Sequence, residues 1–222
     1  MTLLKQSMTK PLILTLFFLS SSTTFAAEPT PSTANTIRIL ELKGTAAEML
    51  GTIPSPLKVG SIVHEGRRIK VGKDSMVLVS LGKDVVTKLG PEAEGQFSTV
   101  HQKDWLLKLD QGITASAVRN PEKRENHFQV HAHGTVMGVR GTVFYIEDLK
   151  DKPLFLCTCK GTVDIRTATG KEIDSVTATH HDRPLTFTEK TGGGAITANT
   201  APMGNAHSDA DVQYLENILK QL

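Results

Sequence analysis

Charge of one sign is what this chain most lacks. Its 25 Lys+Arg stand against 23 Asp+Glu in 222 residues, a formal net charge of +2. Nucleic-acid backbones are held by a clustered cationic excess, so this balance argues against such a partner. Aromatic residues are scarce at 5%, which removes a base-stacking surface as well. Two cysteines cannot build a disulfide-dense scaffold. No apolar run reaches the ~20 residues needed to span a bilayer as a helix. Hydrophobic residues at 39% are enough for a buried core, so wholesale disorder is excluded. The length favours one domain with a small appendage.

The first segment reads as an address. Lys5 and Lys10 form a positive start, and Pro11–Leu19 is an apolar stretch too short to cross a membrane. A Ser/Thr run then ends at Thr24-Phe25-Ala26, with small residues placed for cleavage after Ala26. The expectation is a signal peptide over 1–26 and a mature, soluble chain in the periplasm. Its removal takes the formal charge from +2 to 0. Residues 27–36 (AEPTPSTANT) have nothing to bury and read as a disordered leader.

From Ile37 to about Phe187 the pattern is short β-branched runs punctuated by glycine turns, at intervals of about 8–12 residues. The expected fold is all-β, with strands at Val77–Leu81, Trp105–Leu109, Thr142–Ile146, Leu154–Cys159 and Thr162–Arg166. Periodicity leaves a sandwich or jelly roll and a short β-helical coil equally open. Residues 188–222 read as a linker followed by one helix. Ser208 is placed as its N-cap, with Asp209 and Asp211 in the first turn, where the helix dipole favours negative charge. Val212, Leu215, Leu219 and Leu222, with Ile218 beside them, form a stripe that must dock on the β body, because so short a helix is marginal alone.

Gly138-Val139-Arg140-Gly141-Thr142-Val143-Phe144 is the sharpest local signal. Gly72-Lys73-Asp74-Ser75 and Leu89-Gly90-Pro91 precede it, and Lys160-Gly161-Thr162-Val163 follows, read as a turn joining two strands. Within the motif, Gly138 and Gly141 permit positive φ or close approach, Phe144 and Ile146 share a core face, and Arg140 calls for a fixed carboxylate or carbonyl partner. In this order, from Ile37 to Ile165, the motifs resemble the FecR-like domain. The resemblance implies an all-β periplasmic domain without known catalytic residues. In membrane-anchored relatives such domains pass a signal from an outer-membrane receptor to a sigma factor. With no transmembrane helix or anti-sigma segment in the sequence, the expectation here is a sensing, signalling or scaffold module that works through envelope protein partners.

Cys157 and Cys159 are two residues apart, so a strand points both sulfurs to one face. Their Cα atoms would stand ~6.5–7 Å apart, the long end of disulfide geometry, whereas two parallel thiolates can share a soft metal ion. His127, His131 and His133 have the parity of Gln129 and read as a solvent-facing stripe. His64 and His101 are single. His180, His181 and His207 lie downstream, where the resemblance has ended, and His207 immediately precedes the helix cap. The expected site is a zinc or copper centre of Cys157, Cys159, one or both of His180 and His181, and His207, closed when the C-terminal helix folds back. Two rival readings stand beside it. One is a thiol-dependent redox protein or enzyme drawing on Cys157 or Cys159 with His181. The other is a glycan- or partner-binding envelope scaffold without metal. No phosphate loop, paired-carboxylate motif or nucleophile elbow accompanies the cysteines, and the expectation is a protein that is not an enzyme.

Overall fold

A computed structural model describes residues 36–100, 104–120, 127–189, 196–203 and 207–222. The expected signal peptide, the leader up to residue 35 and His101 lie outside the described residues. In chain order the strands are β1 (Ile37–Lys43), β2 (Ala46–Leu50), β3 (Ile53–Pro56), β4 (Ile62–Val63), β5 (Arg68–Val71), β6 (Met76–Leu81), β7 (Val85–Leu89) and β8 (Glu94–Val100). There follow β9 (Asp104–Val118), β10 (Phe128–Ala132), β11 (Thr135–Asp148), β12 (Leu154–Thr167), β13 (Glu172–Ala178), β14 (Leu185–Glu189) and β15 (Ile196–Thr200). One helix, α1 (Asp209–Gln221), ends the chain.

These strands form a single hydrogen-bonded sheet that doubles over on itself. The doubling is made by the three long strands, whose neighbours change halfway along. The first half of β9 pairs with β8 and β10, the second half with β7 and β11. In β12 the first half pairs with β14 and the second with β13. One layer therefore runs β3-β2-β5-β8-β9-β10-β11-β12-β13, and the other runs β4-β1-β6-β7-β9-β11-β12-β14-β15. Apart from β9–β10, the pairs among the described residues are antiparallel, which favours the sandwich over a β-helical coil.

The crossings turn on glycine. Side chains alternate faces along a strand, so one extra residue in a bulge exchanges the inward and outward sets. In β9 the core side chains are Trp105, Leu107 and Leu109 before the bend, whereas Ala115 and Ala117, of the same parity, face the other way beyond it. In β11 the core changes from Met137 and Val139 to Phe144 and Ile146, and in β12 from Leu154 and Leu156 to Val163 and Ile165. At the three changes stand Gly112, Gly141 and Gly161, with φ of 104°, 57° and 96°. Gly161 is also a point of close approach, since a Cβ there would lie 2.5 Å from the Gly141 carbonyl oxygen. The buried Thr142 hydroxyl fastens the corner, 2.8 Å from the carbonyls of both Arg140 and Thr162, and it accepts the Thr162 N–H at 3.0 Å.

Several expectations are corrected here. Lys160-Gly161 is a bend within β12, not a turn between two strands, and β9 continues through Gly112. The positive φ falls on Gly141 and not on Gly138. Part of the expected linker forms β15, whose Ile196, Thr197 and Thr200 include the β-branched residues that suit a strand. His127 is 1% exposed, with Nδ1 3.5 Å from the Asp104 carboxylate. It precedes β10, so strand alternation does not govern it, and the expected solvent-facing stripe does not include it.

The principal core lies between the layers, where Ile39, Val79 and Leu81 meet Phe97, Leu107 and Phe128. A second cluster covers the outer face of the β6-β7-β9-β11-β12 layer. There Leu78, Val86, Ala115, Ala117, Val143, Tyr145, Cys157 and Cys159 are roofed by Leu215 and Leu219 of α1. Val212 and Ile218 pack at its margin, while Leu222 is exposed. The helix is tied down by Lys88–Asp211 and Lys160–Glu216, each 2.9 Å, and by the Arg119 guanidinium donating to the Leu219 carbonyl.

Candidate metal centre

The site lies where the helix N-terminus meets β12. Alternation in the first half of β12 sends Leu154 and Leu156 into the core and leaves Cys157 and Cys159 on the face beneath α1. Both are free and buried. His181 arrives from the turn after β13. That turn is held by the Asp182 carboxylate, which accepts from the Thr179 N–H (2.7 Å), the Thr179 hydroxyl (3.0 Å) and the His180 N–H (3.3 Å). These bonds hold the Asp182 carboxyl below the usual carboxylate range, the Thr179 N–H being the largest cause. His181 adopts φ 49°, and its own N–H donates to the Cys159 carbonyl at 3.1 Å. The turn is thereby fixed against the strand that carries both sulfurs.

His207 enters from the other side. The Ser208 N-cap donates its N–H to the Asp211 carboxylate at 2.9 Å, and the residue before the cap is directed at the sheet. The His207 ring is buried and stacks on Tyr145, which stands opposite Cys157 in the β11–β12 ladder. The donor atoms of Cys157, Cys159, His181 and His207 all lie within 4.8 Å of one another. Cys157 Sγ is 3.9 Å from Cys159 Sγ and 3.2 Å from His181 Nδ1, and His181 Nδ1 is 3.3 Å from His207 Nε2. His180 stays outside this group, with Nδ1 3.6 Å from Asp209.

These spacings can be set against a tetrahedral ion with bonds of about 2.3 Å to sulfur and about 2.05 Å to nitrogen. Such an ion requires edges of about 3.8 Å between sulfurs, about 3.3 Å between nitrogens and about 3.5 Å between the two kinds. The Cys157–Cys159, Cys157–His181 and His181–His207 spacings match those edges to within a few tenths of an ångström, and the remaining three lie within 4.8 Å. His181 also has the outer partner that metal-bound histidines commonly have, since its Nε2 is 3.2 Å from an Asp209 carboxylate oxygen. His207 Nδ1 is buried without a hydrogen-bond partner.

The two thiols are unequal. Cys157 is held well below the ordinary thiol range, chiefly by the hydrogen bond from Cys159, with burial opposing and His207 and His181 assisting. Cys159 is pushed up by the same bond and by its own burial. The shared face thus favours the thiolate form at Cys157 over Cys159, and the thiolate is the form that binds metal.

Three neighbours carry little or no sign in the sequence. Asp209 reads there only as a helix-dipole partner. Tyr145 gives no signal in the one-dimensional pattern. Met203, its Sδ 3.8 Å from Cys157 Sγ, is the one methionine in the small-residue run before the helix, and that singularity is the available clue.

A doubled-over β-sheet with a helix clamped on its outer face is the architecture, and its bends coincide with the Gly-Val-Arg-Gly-Thr and Lys-Gly motifs. Residues 67–164 match the family described as FecR protein, and this stretch is a FecR domain. That family is regulatory and associated with the cell envelope. Cys157 and Cys159 fall within the matched span, whereas His181 and His207 lie beyond it. Two crystal structures from Parabacteroides distasonis, both described as an anti-sigma factor, are similar at 14% and 15% identity, each with a TM-score of 0.47. Each match covers 60% of this chain and 59% of the other. No curated protein matches the chain. No helix among the described residues is long and apolar enough to cross a membrane.

Proposed function

We propose that this protein is a non-enzymatic sensing module of the cell envelope. In this reading the chain is periplasmic once residues 1–26 are removed, and its FecR domain responds to a soft transition metal, zinc or copper, held by Cys157, Cys159, His181 and His207. The observation that carries the reading is that two cysteines and two histidines bring their donor atoms within 4.8 Å of one another, three of the spacings agreeing with the edges of a tetrahedral site. His207 adjoins the α1 cap, so ligation and helix docking become one event. Metal would fasten α1 over the outer apolar face, and its loss would weaken that cover. The response is then read by envelope protein partners, the kind of role a regulatory FecR domain supports.

A thiol enzyme would draw on the same low-lying Cys157 beside His181. Cys157 is 0% exposed, however, so a substrate could reach the sulfur only by displacing side chains that cover it.

The test is the metal content and melting temperature of the processed protein isolated from the envelope. Added Zn²⁺ or copper should raise Tm, because binding to the folded form alone stabilises it by mass action. The Cys157→Ser/Cys159→Ser double variant should lose that rise. A metal-free protein whose Tm ignores both ions refutes the reading, and recovery of the full-length chain in membranes refutes the assigned location.

A further inference from the structure

We infer that the ion is copper(I) and that Met203 supplies a thioether to it. The inference rests on the metal reading above and narrows it to one ion and one additional donor.

Zinc closes its structural sites with four donors drawn from Cys, His and carboxylate side chains, so a thioether adds nothing for it. Yet Met203 Sδ stands 3.8 Å from Cys157 Sγ. That is the spacing of two sulfurs around one ion at bonds of about 2.3 Å. The position is built by the fold. The β14–β15 ladder runs to Leu185↔Thr200, and Ala201 then donates its N–H to the Pro184 carbonyl at 2.9 Å. The chain is pinned two residues before Met203, directly beside the turn that carries His181.

Burial does not account for Met203. Its side chain is 43% exposed, and its sulfur end lies against the cluster. A thioether is neutral and soft, and together with thiolates it selects copper(I) over harder divalent ions. Methionine is also unbranched and flexible enough to follow an ion inward. Cys157 and Cys159 are 0% and 3% exposed, so Met203 is the sulfur that an arriving ion meets first. The three sulfurs and one of the two imidazoles would fill a four-donor copper(I) shell, the thioether taking the place of the second imidazole.

The experiment compares the mature full-length protein with Met203→Leu, which keeps the bulk and removes the sulfur. Copper(I) affinity is measured by competition with bicinchoninate, and Zn²⁺ affinity by competition with a chromophoric chelator. The variant should lose at least about tenfold in copper(I) affinity, the low end of what losing even an outer partner costs. Its Zn²⁺ affinity should stay within about twofold, and the copper X-ray absorption spectrum should lose one sulfur neighbour. Equal losses for both ions, or an unchanged copper(I) affinity, overturn the inference while leaving a metal site standing. Wild-type protein that binds neither ion overturns the metal reading, and the inference falls with it. The metal-free melting temperature of Met203→Leu controls for folding and should equal that of wild type, since the side chain is exposed.

Discussion

The His207 imidazole lies face to face with the Tyr145 ring, centroids 4.3 Å apart and planes 16° from parallel. This stack joins the N-terminus of α1 to the strand opposite Cys157 and fixes the plane in which His207 Nε2 meets His181. The Tyr145 hydroxyl donates to Glu147 at 2.6 Å, so the phenol is held at both ends. Tyr145→Phe keeps the stack and should cost only about 1 kcal/mol for the lost hydrogen bond. Tyr145→Ala removes the ring and should cost about 3–5 kcal/mol, as large aromatic truncations in cores do. It should also weaken metal binding, which the Phe variant retains. Urea unfolding with and without metal separates the two effects.

Helix docking depends on two leucines. Leu215 is 1% exposed and Leu219 8%, both against the outer face of the sheet. Leu215→Ala should destabilise the protein by about 2–5 kcal/mol through lost burial and the cavity left behind. Truncating the exposed Leu222 should change stability by less than about 0.5 kcal/mol. Equal effects at the two positions in thermal unfolding would contradict the docking described.

Gly161 tests the corner. At φ 96° a Cβ would lie 2.5 Å from the Gly141 carbonyl oxygen and 2.8 Å from the Thr142 Cα. Both obstacles are backbone or fixed to it, so they cannot swing aside. Gly161→Ala should therefore cost at least about 2 kcal/mol in denaturant unfolding. Gly170, also at positive φ but with nothing within 4 Å of an added Cβ, should cost less, and that difference isolates the steric part from the φ part.

The bends also mark the limit of what the sequence could disclose. Short runs such as Met76–Leu81 and Val85–Leu89 advertise themselves because alternation and flanking glycines agree. Period two alone places Cys157 and Cys159 on one face. The helix cap at Ser208 and the Leu215–Leu219 stripe are equally local. The same rules misread Gly112 and Gly161, because a glycine that ends a strand and one that bends it look alike in one dimension. The solvent face expected for His127 rests on a parity that begins only at Phe128. The approach of Met203, Asp209 and Tyr145 to the sulfurs is set by tertiary packing across separate elements, for which no spacing along the chain stands as a sign.

Asp209 gives a second handle on the centre. Its carboxylate oxygen is 3.2 Å from His181 Nε2, where it would hold the ring with Nδ1 facing Cys157. Asp209→Asn removes the charge with little change of shape and should lower metal affinity about 10–100-fold, as outer-partner losses do. Asp209 is exposed, so the metal-free fold should keep its melting temperature within a few degrees, about what 0.5 kcal/mol allows. A metal-free Tm that fell as far as the affinity would show that the residue serves the helix and not the histidine.

Acid stability is governed in part by Arg140, the motif residue for which a fixed partner was expected. Its Nε donates to an Asp164 oxygen at 2.9 Å, and its Nη2 reaches the same atom. Burial pushes the Asp164 carboxyl up, but the Ser175 hydroxyl and the guanidiniums of Arg140 and Arg166 outweigh it, so its pKa lies below the ordinary 3.8. A carboxyl depressed in the folded state stabilises the protein fully above its unfolded value and loses that contribution as pH falls through the folded one. Asp164→Asn should therefore flatten the decline of stability as pH falls below about 4. Arg140→Gln should act the same way and more weakly, because the Ser175 bond remains. The Arg140 side chain is 41% exposed, so solvent screening limits the pair to about 1 kcal/mol or less, and added salt should shrink the effect further. Unfolding measured by urea at each pH decides it, and a wild-type profile identical to that of Asp164→Asn would show that this carboxylate carries no linked stability.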